Sequence, residues 1–250
     1  MVNLHIIGAQ KAGTTALAHF IAQHQDIYVL DGKEAHVFDN PQFLKSTNKM
    51  LFAKDAIAKR MRNYQSQRYV CDATPVTWYQ RRFLTHCFNF NPSAKFIVIL
   101  RDPVERALSH YKMSRQKDAE TKNALAAFLS ERSRLIAARG NWQLRSPLRT
   151  QSYLSRGRYS KQLKQLFDIV PRQQVLVLFQ EDLAKHHQAT LNKVFAFLDV
   201  DTQTIAPERV FESDKEASTV GMFFAKYFAR LYYVYHGESK SRWLNIISDN

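Results

Sequence analysis

Apolar residues along the chain fall into short unbroken runs separated by longer stretches of helical periodicity. The runs Leu4 to Ile7, Ile27 to Leu30, Tyr69 to Asp72, Phe96 to Leu100 and Val175 to Phe179 read as buried strands. Alternation of strand and helix predicts an α/β fold: a central, mainly parallel sheet with helices on both faces and ligands at the carboxyl ends of the strands. No internal repeat and no linker rich in Gly, Pro or Ser divides the 250 residues, so a single domain over 1–250 is expected. A last helix is predicted over about 219–236, apolar or aromatic round most of its circumference, with Lys226 and Arg230 on one narrow stripe. It is expected to pack on the core or on a second subunit, with a membrane surface or lipid-linked acceptor as the alternative.

The first strand runs through Gly8-Ala9-Gln10-Lys11-Ala12-Gly13-Thr14-Thr15 straight into a helix. The unpaired amides at that helix start, the helix dipole and the Lys11 charge together suit an oligophosphate. The usual nucleotide-triphosphate loop reads GxxxxGK[ST], with its lysine after the second glycine. Here Thr14 holds that position and the lysine lies inside the loop, three residues after Gly8. A second strand-loop-helix unit begins at Phe96. The strand ends at Arg101, Asp102 is placed to cap the next helix, and Pro103 suits its first turn. Ser109 comes round about two turns later, so Arg101 and Ser109 are placed to share a second phosphate.

These two elements resemble the 5′-phosphosulfate loop and the strand-Arg-x-Pro-x-x-Arg-x-x-Ser-x-Tyr element of sulfotransferases that use 3′-phosphoadenosine 5′-phosphosulfate (PAPS). The second pattern is present as Arg101, Pro103, Arg106, Ser109 and Tyr111. The resemblance implies a P-loop-like sulfotransferase fold. Gln10, Lys11, Ala12, Gly13, Thr14 and Thr15 would hold the 5′-phosphate, and Arg101 and Ser109 the 3′-phosphate. PAPS would be the donor and 3′-phosphoadenosine 5′-phosphate (PAP) the product, with no metal.

The resemblance extends further. Lys33-Glu34-Ala35-His36-Val37-Phe38-Asp39 is similar to the Lys-Glu-x-His-Phe-Phe-Asp segment of the heparan sulfate sulfotransferases and their bacterial relatives. If this segment is extended, Lys33, Ala35 and Val37 face one way and Glu34, His36 and Phe38 the other. The family assigns the matching glutamate as the base for the acceptor hydroxyl, which makes Glu34 the expected base and His36 its alternative or its orienting partner. Asp72-Ala73-Thr74-Pro75 through Tyr79 resembles the acceptor-side segment, so Lys33, Asp72, Thr74 and Tyr79 join Glu34 and His36 as expected substrate contacts. Asp72 stands where a lysine is usual in the heparan sulfate enzymes; it is expected to bind acceptor hydroxyls, to pair with Lys33, or to cap a helix. Gly157-Arg158-Tyr159 is similar to the family's Gly-x-Tyr helix, which adds Arg158 to the cofactor contacts. Lys215 is the expected substitute for a C-terminal basic loop that many relatives carry.

Composition narrows the alternatives. A hydrophobic fraction of 45% and a charged fraction of 23% exclude a disordered chain. No run is long enough to span a bilayer and no leader pattern precedes the first strand, so a cytoplasmic protein is expected. Cys71 and Cys87 have neither metal-ligand nor redox spacing. The net charge of +14 favours anionic partners. A nucleic-acid-binding module is one rival reading, but the basic residues are scattered and no such motif appears, so no nucleic acid is expected. A kinase with a degenerate loop is the other. The acceptor is expected to be a hydroxyl-bearing glycan, lipid-linked sugar or small metabolite. The stretch from about Ala138 to Arg149, with Gly140, Pro147 and several arginines, is expected to be a flap or a solvated insertion.

Overall fold

A computed structural model describes residues 1–208 and 220–249. Its strands are β1 (Leu4–Gly8), β2 (Ile27–Val29), β3 (Tyr69–Asp72), β4 (Lys95–Leu100) and β5 (Val175–Phe179). Its helices are α1 (Thr14–Ile21), α2 (Pro41–Lys45), α3 (Lys49–Ala58), α4 (Arg81–Phe90), α5 (Pro103–Gln116), α6 (Ala124–Ala137), α7 (Pro147–Thr150), α8 (Tyr159–Phe167), α9 (Gln180–Lys185), α10 (His187–Leu198), α11 (Val220–Tyr235) and α12 (Lys240–Ser248).

The chain divides into two compact units. The first comprises Met1–Arg101 and Leu166–Glu212, the second Asp102–Gln165 and Ser213–Asn250. All five strands belong to the first unit and form one parallel sheet in the order β2-β3-β1-β4-β5. Successive side chains point to opposite faces of the sheet and both faces are packed, which explains why its strands are largely apolar instead of alternating. Leu4 and Ile6 of β1 and Ile97 and Ile99 of β4 join a core with Leu17, Ile21, Leu191 and Phe195 of α1 and α10. On the opposite face His5 stacks on Phe96 at 5.3 Å, and Phe38 packs on His5 and on Phe90 of α4. Burial depresses the His5 pKa to about 3, so this imidazole is neutral. β1 is central: the chain goes from it to β2 at one edge, returns to β3 beside β1, and then crosses to β4 and β5 on the other side. The crevice beyond its carboxyl end is therefore the switch point where such sheets bind ligands.

In the second unit, Val104, Ala107, Leu108 and Tyr111 of α5 pack with Phe128, Tyr153 and the buried stripe Ala225, Ala229 and Tyr233 of α11. Asp102 caps α5 through the Glu105 amide at 2.9 Å, with Pro103 in the first turn. A Cβ on Gly157 would stand 2.2 Å from the Tyr233 hydroxyl, which donates to Leu154 O at 3.0 Å. The stretch expected to be a flap or a solvated insertion is anchored, with several residues in solvent: Trp142 is buried, its carbonyl accepts from Arg149 Nε at 2.7 Å, and Pro147 opens α7. Among the described residues no helix is long and apolar enough to cross a membrane.

Candidate active site

Four loops meet at the carboxyl edge of the sheet in the first unit. The loop after β1 begins at Gly8, where a Cβ would lie 2.2 Å from Nε1 of the buried Trp78, so no larger residue fits under that indole. Ala9 N donates to Ile99 O at 2.8 Å and Ala12 N to Ala9 O at 3.1 Å, which curls the loop tightly. Lys11 sits at φ 67° and Gly13 at φ 99°. Gly13 caps α1, which has no side-chain cap and no acidic residue in its first turn. The start of α1 thus offers its amides and partial positive charge with no carboxylate of its own in competition. That arrangement fits a phosphate. Arg101, at the end of β4, donates from Nη1 to the Lys11 carbonyl at 3.2 Å and so braces the loop.

The loop after β2 differs from the extended segment expected. Gly32, Lys33 and His36 all have positive φ, at 76°, 65° and 51°. The chain coils, Lys33 N donating to Leu30 O at 2.7 Å and Glu34 N to Gly32 O at 2.7 Å. Lys33 consequently shares a cluster with Glu34 and His36 where alternation had placed it on the other face. Lys33 Nζ lies 2.5 Å from Glu34 Oε1 and donates to Thr15 Oγ1 at 2.9 Å. Glu34 Oε2 lies 3.0 Å from His36 Nε2, and His36 Nδ1 lies 3.0 Å from Oδ2 of the fully buried Asp39.

This geometry sets the charges. For His36, burial alone would favour the neutral ring, but hydrogen bonds to Asp39 and Glu34 outweigh it and raise the pKa to about 9. The ring is then an imidazolium donating from both nitrogens. Burial would raise the Glu34 pKa, yet the His36 and Lys33 contacts prevail and hold it below the usual carboxylate range. Glu34 is the ionised group of the pair. Asp39 is a site residue that the motif alone does not single out; its one signal in the sequence is its position three residues beyond His36.

Asp72 corrects a second expectation. It is buried, and Oδ1 accepts from Ala35 N at 2.9 Å and from Thr74 Oγ1 at 2.6 Å. Burial lifts its pKa to about 6, those two hydrogen bonds limiting the rise. Its carboxylate faces the interior and fixes the coiled loop instead of pairing with Lys33. Thr74 is buried too, and its hydroxyl also accepts from His36 N at 3.3 Å. Both hold the loop that carries Glu34 and His36. Tyr79, half-buried, ends the 3-10 turn Thr77–Tyr79.

In the second unit Ser109 is half-buried on α5, and Arg158 follows the 3-10 turn Ser155–Gly157 at the start of α8. Two other members of the arginine-serine pattern are structural there: buried Arg106 donates to Tyr153 O, and Tyr111 donates to Lys122 O at 3.0 Å. Lys215 lies outside the described residues. Among the described residues no group of three His, Cys, Asp or Glu is placed to hold a metal ion.

A parallel sheet whose central strand runs through a glycine-flanked loop straight into a helix defines a P-loop-like α/β protein. More narrowly, the chain belongs to the sulfotransferase family: residues 3–224 match the family described as "Sulfotransferase domain". The crystal structure of a sulfotransferase from Alicyclobacillus acidocaldarius superposes with a TM-score of 0.78 and 25% identity, covering 100% of this chain and 97% of that one. The human heparan sulfate glucosamine 3-O-sulfotransferase 3B1 is 29% identical over 196 residues, 77% of this chain and 45% of that protein. The bifunctional heparan sulfate N-deacetylase/N-sulfotransferase 1 of Caenorhabditis briggsae is 25% identical over 215 residues, 84% of this chain and 23% of that protein. The chain spans less than half the length of these two relatives.

Proposed function

We infer that this protein transfers a sulfuryl group from PAPS to a hydroxyl of an acceptor, with a saccharide as the favoured acceptor class and PAP as the product. The observation that carries the reading is the bridge from Thr15 through Lys33 to Glu34, because it joins an anion-binding helix start to an ionised carboxylate at the edge of the same crevice. Family membership supports sulfuryl transfer, and the named activities of the heparan sulfate relatives support a sugar hydroxyl.

In this reading the α1 amides, Thr14, Thr15 and Lys11 hold the 5′-phosphate. Arg101 keeps its assignment to the 3′-phosphate, and Ser109 and Arg158 keep theirs from the sequence pattern. The acceptor oxygen forms a bond to sulfur as the bond from sulfur to the bridging phosphate oxygen breaks. That oxygen leaves with the electron pair, and Lys11 stabilises the charge it gains. Glu34 takes the acceptor's proton, since His36 is already protonated and has no lone pair left to take one. Asp39 holds His36, His36 holds Glu34, and Lys33 keeps the base in register with the loop. Positioning and charge stabilisation do the catalytic work, as in phosphoryl transfer.

The test is transfer of sulfur-35 from labelled PAPS across saccharide and small-molecule acceptors, with melting temperatures measured beside it. PAP should raise the melting temperature well above ATP or AMP at equal concentration. Preferential stabilisation by ATP with magnesium would favour the kinase reading, and equal stabilisation by AMP would remove the 3′-phosphate contacts.

A further inference from the structure

The exposed apolar side chains are unevenly spread. Of fourteen large hydrophobic residues exposed among the described residues, ten lie in the second unit and six of them on α11. α11 buries Ala225, Ala229 and Tyr233 in that unit's core, at four-residue spacing. Phe223, Tyr227 and Leu231 form a parallel stripe turned to solvent, continued by Val234 and flanked by Phe224 and Tyr235. Exposure reaches 66% at Phe223 and 86% at Tyr235, too much for the rim of a packed face. Such a continuous aromatic patch marks an interaction surface.

Charge says what it meets. Between Asp102 and Gln165 the sequence has fourteen Lys and Arg against five Asp and Glu, and between Val220 and Asp249 four against two. Most of the net +14 therefore belongs to the second unit. α11 carries no acidic residue; Arg230 lies exposed beside the stripe, and Lys226 pairs with Glu105 at 2.6 Å. A second copy docking through the same face would bring two strongly basic units together, with no carboxylate on α11 itself to offset them. A soluble polyanion would satisfy the lysines and arginines but leave the phenylalanines and tyrosines in water.

We propose that the α11 face of the second unit docks on an anionic membrane surface, its apolar and aromatic stripe entering the interface between headgroups and acyl chains while Arg230 beside it and the net positive charge of the unit attract the acidic lipids. Aromatic side chains are favoured at that depth, and each Lys or Arg near an acidic leaflet adds to the attraction. Nothing in the α11 stripe belongs to the sulfuryl-transfer machinery, so the proposal stands or falls independently of the acceptor.

Co-sedimentation of the full chain with phosphatidylcholine vesicles, with and without phosphatidylserine, tests it. Binding should require phosphatidylserine, weaken with salt, and fall roughly tenfold or more when Phe223, Tyr227 and Leu231 are replaced together by Ser, at unchanged PAP-induced stabilisation. A second readout does not depend on that triple variant folding. Leu231→Cys is labelled selectively with a polarity-sensitive fluorophore, since Cys71 and Cys87 are buried, and its emission should shift to the blue on such vesicles. Four results would overturn the proposal: no vesicle binding, undiminished binding by the triple variant, no spectral shift, or a dimer in sedimentation velocity that the triple variant dissociates. Competition by heparin that abolishes binding of both forms equally would show a polyanion site instead.

Discussion

The ammonium of Lys33 donates to the Thr15 hydroxyl at 2.9 Å, linking the loop after β2 to the first turn of α1. Its second contact, 2.5 Å from Glu34 Oε1, helps to keep that carboxyl below its ordinary range. Lys33→Met keeps much of the length and removes the charge. Turnover should fall by about ten- to a hundredfold, the effect of one charge-assisted hydrogen bond. The acidic limb of the pH-rate profile should also move upward, because Glu34 loses a cation that favours its ionised form. An unshifted limb would show that Lys33 and Glu34 are not coupled during turnover.

Arg101 has a double task in this reading, toward the nucleotide and toward the Lys11 carbonyl at 3.2 Å. Arg101→Ala should weaken PAP binding by roughly ten- to a hundredfold in calorimetry and also lower turnover at saturating donor, since the loop bearing Lys11 loses its brace. Arg101→Lys should recover part of the binding but less of the turnover, because an ammonium cannot reproduce the guanidinium's fixed fork. An unchanged PAP dissociation constant in the alanine variant would remove the arginine from the nucleotide site.

The sheet was legible because β1 to β4 are buried almost throughout and appear as apolar runs, and half-buried β5 is apolar along its whole length. β3 and β5 have the expected bounds, and β1 and β4 each gain one residue. β2 stops at Val29, one residue early, where the turn through Gly32 begins. The anion loop was equally plain, since a glycine turn between strand and helix leaves a local signature. The Glu34 loop was not. Gly32 announces one left-handed residue, but Lys33 and His36 are left-handed against their own preference, and contacts distant in sequence accompany that: Ala73 N to Lys33 O at 3.0 Å, and Ala35 N to Asp72 Oδ1 at 2.9 Å. The side chain of Asp72 could not be placed from sequence for the same reason. Its direction depends on the loop above it, which a strand pattern does not encode.

Gly8 answers to packing more than to backbone conformation. Gly8→Ala would place a methyl group 2.2 Å from the Trp78 indole, and Trp78 is almost wholly buried. The cost should be about 1–3 kcal/mol in chemical denaturation, the usual range for overpacking. Pairing it with Trp78→Leu should be less damaging than the sum of the two single changes, because the smaller side chain makes room. Strict additivity would show that the glycine is required for another reason.

The choice of base can be settled by rank and by pH together. Glu34→Gln keeps shape and removes basicity, so turnover should fall by about a hundred- to ten-thousandfold while PAP binding persists. His36→Ala should lose less, since the imidazolium positions the carboxylate without taking the proton. The pH dependence separates the roles. In the wild type Glu34 is ionised above its lowered pKa, so activity should fail only on acidification below the ordinary carboxylate range. At the alkaline end His36 loses its proton as pH rises through about 9, releasing its hold on Glu34, and turnover should decline there. His36→Ala should abolish that alkaline decline and move the acidic limb upward, because burial of Glu34 is then opposed by Lys33 alone. If instead Glu34→Gln stays active and His36→Ala is dead, the proton goes to the imidazole, and the His36–Asp39 pair becomes the base with Glu34 as its support.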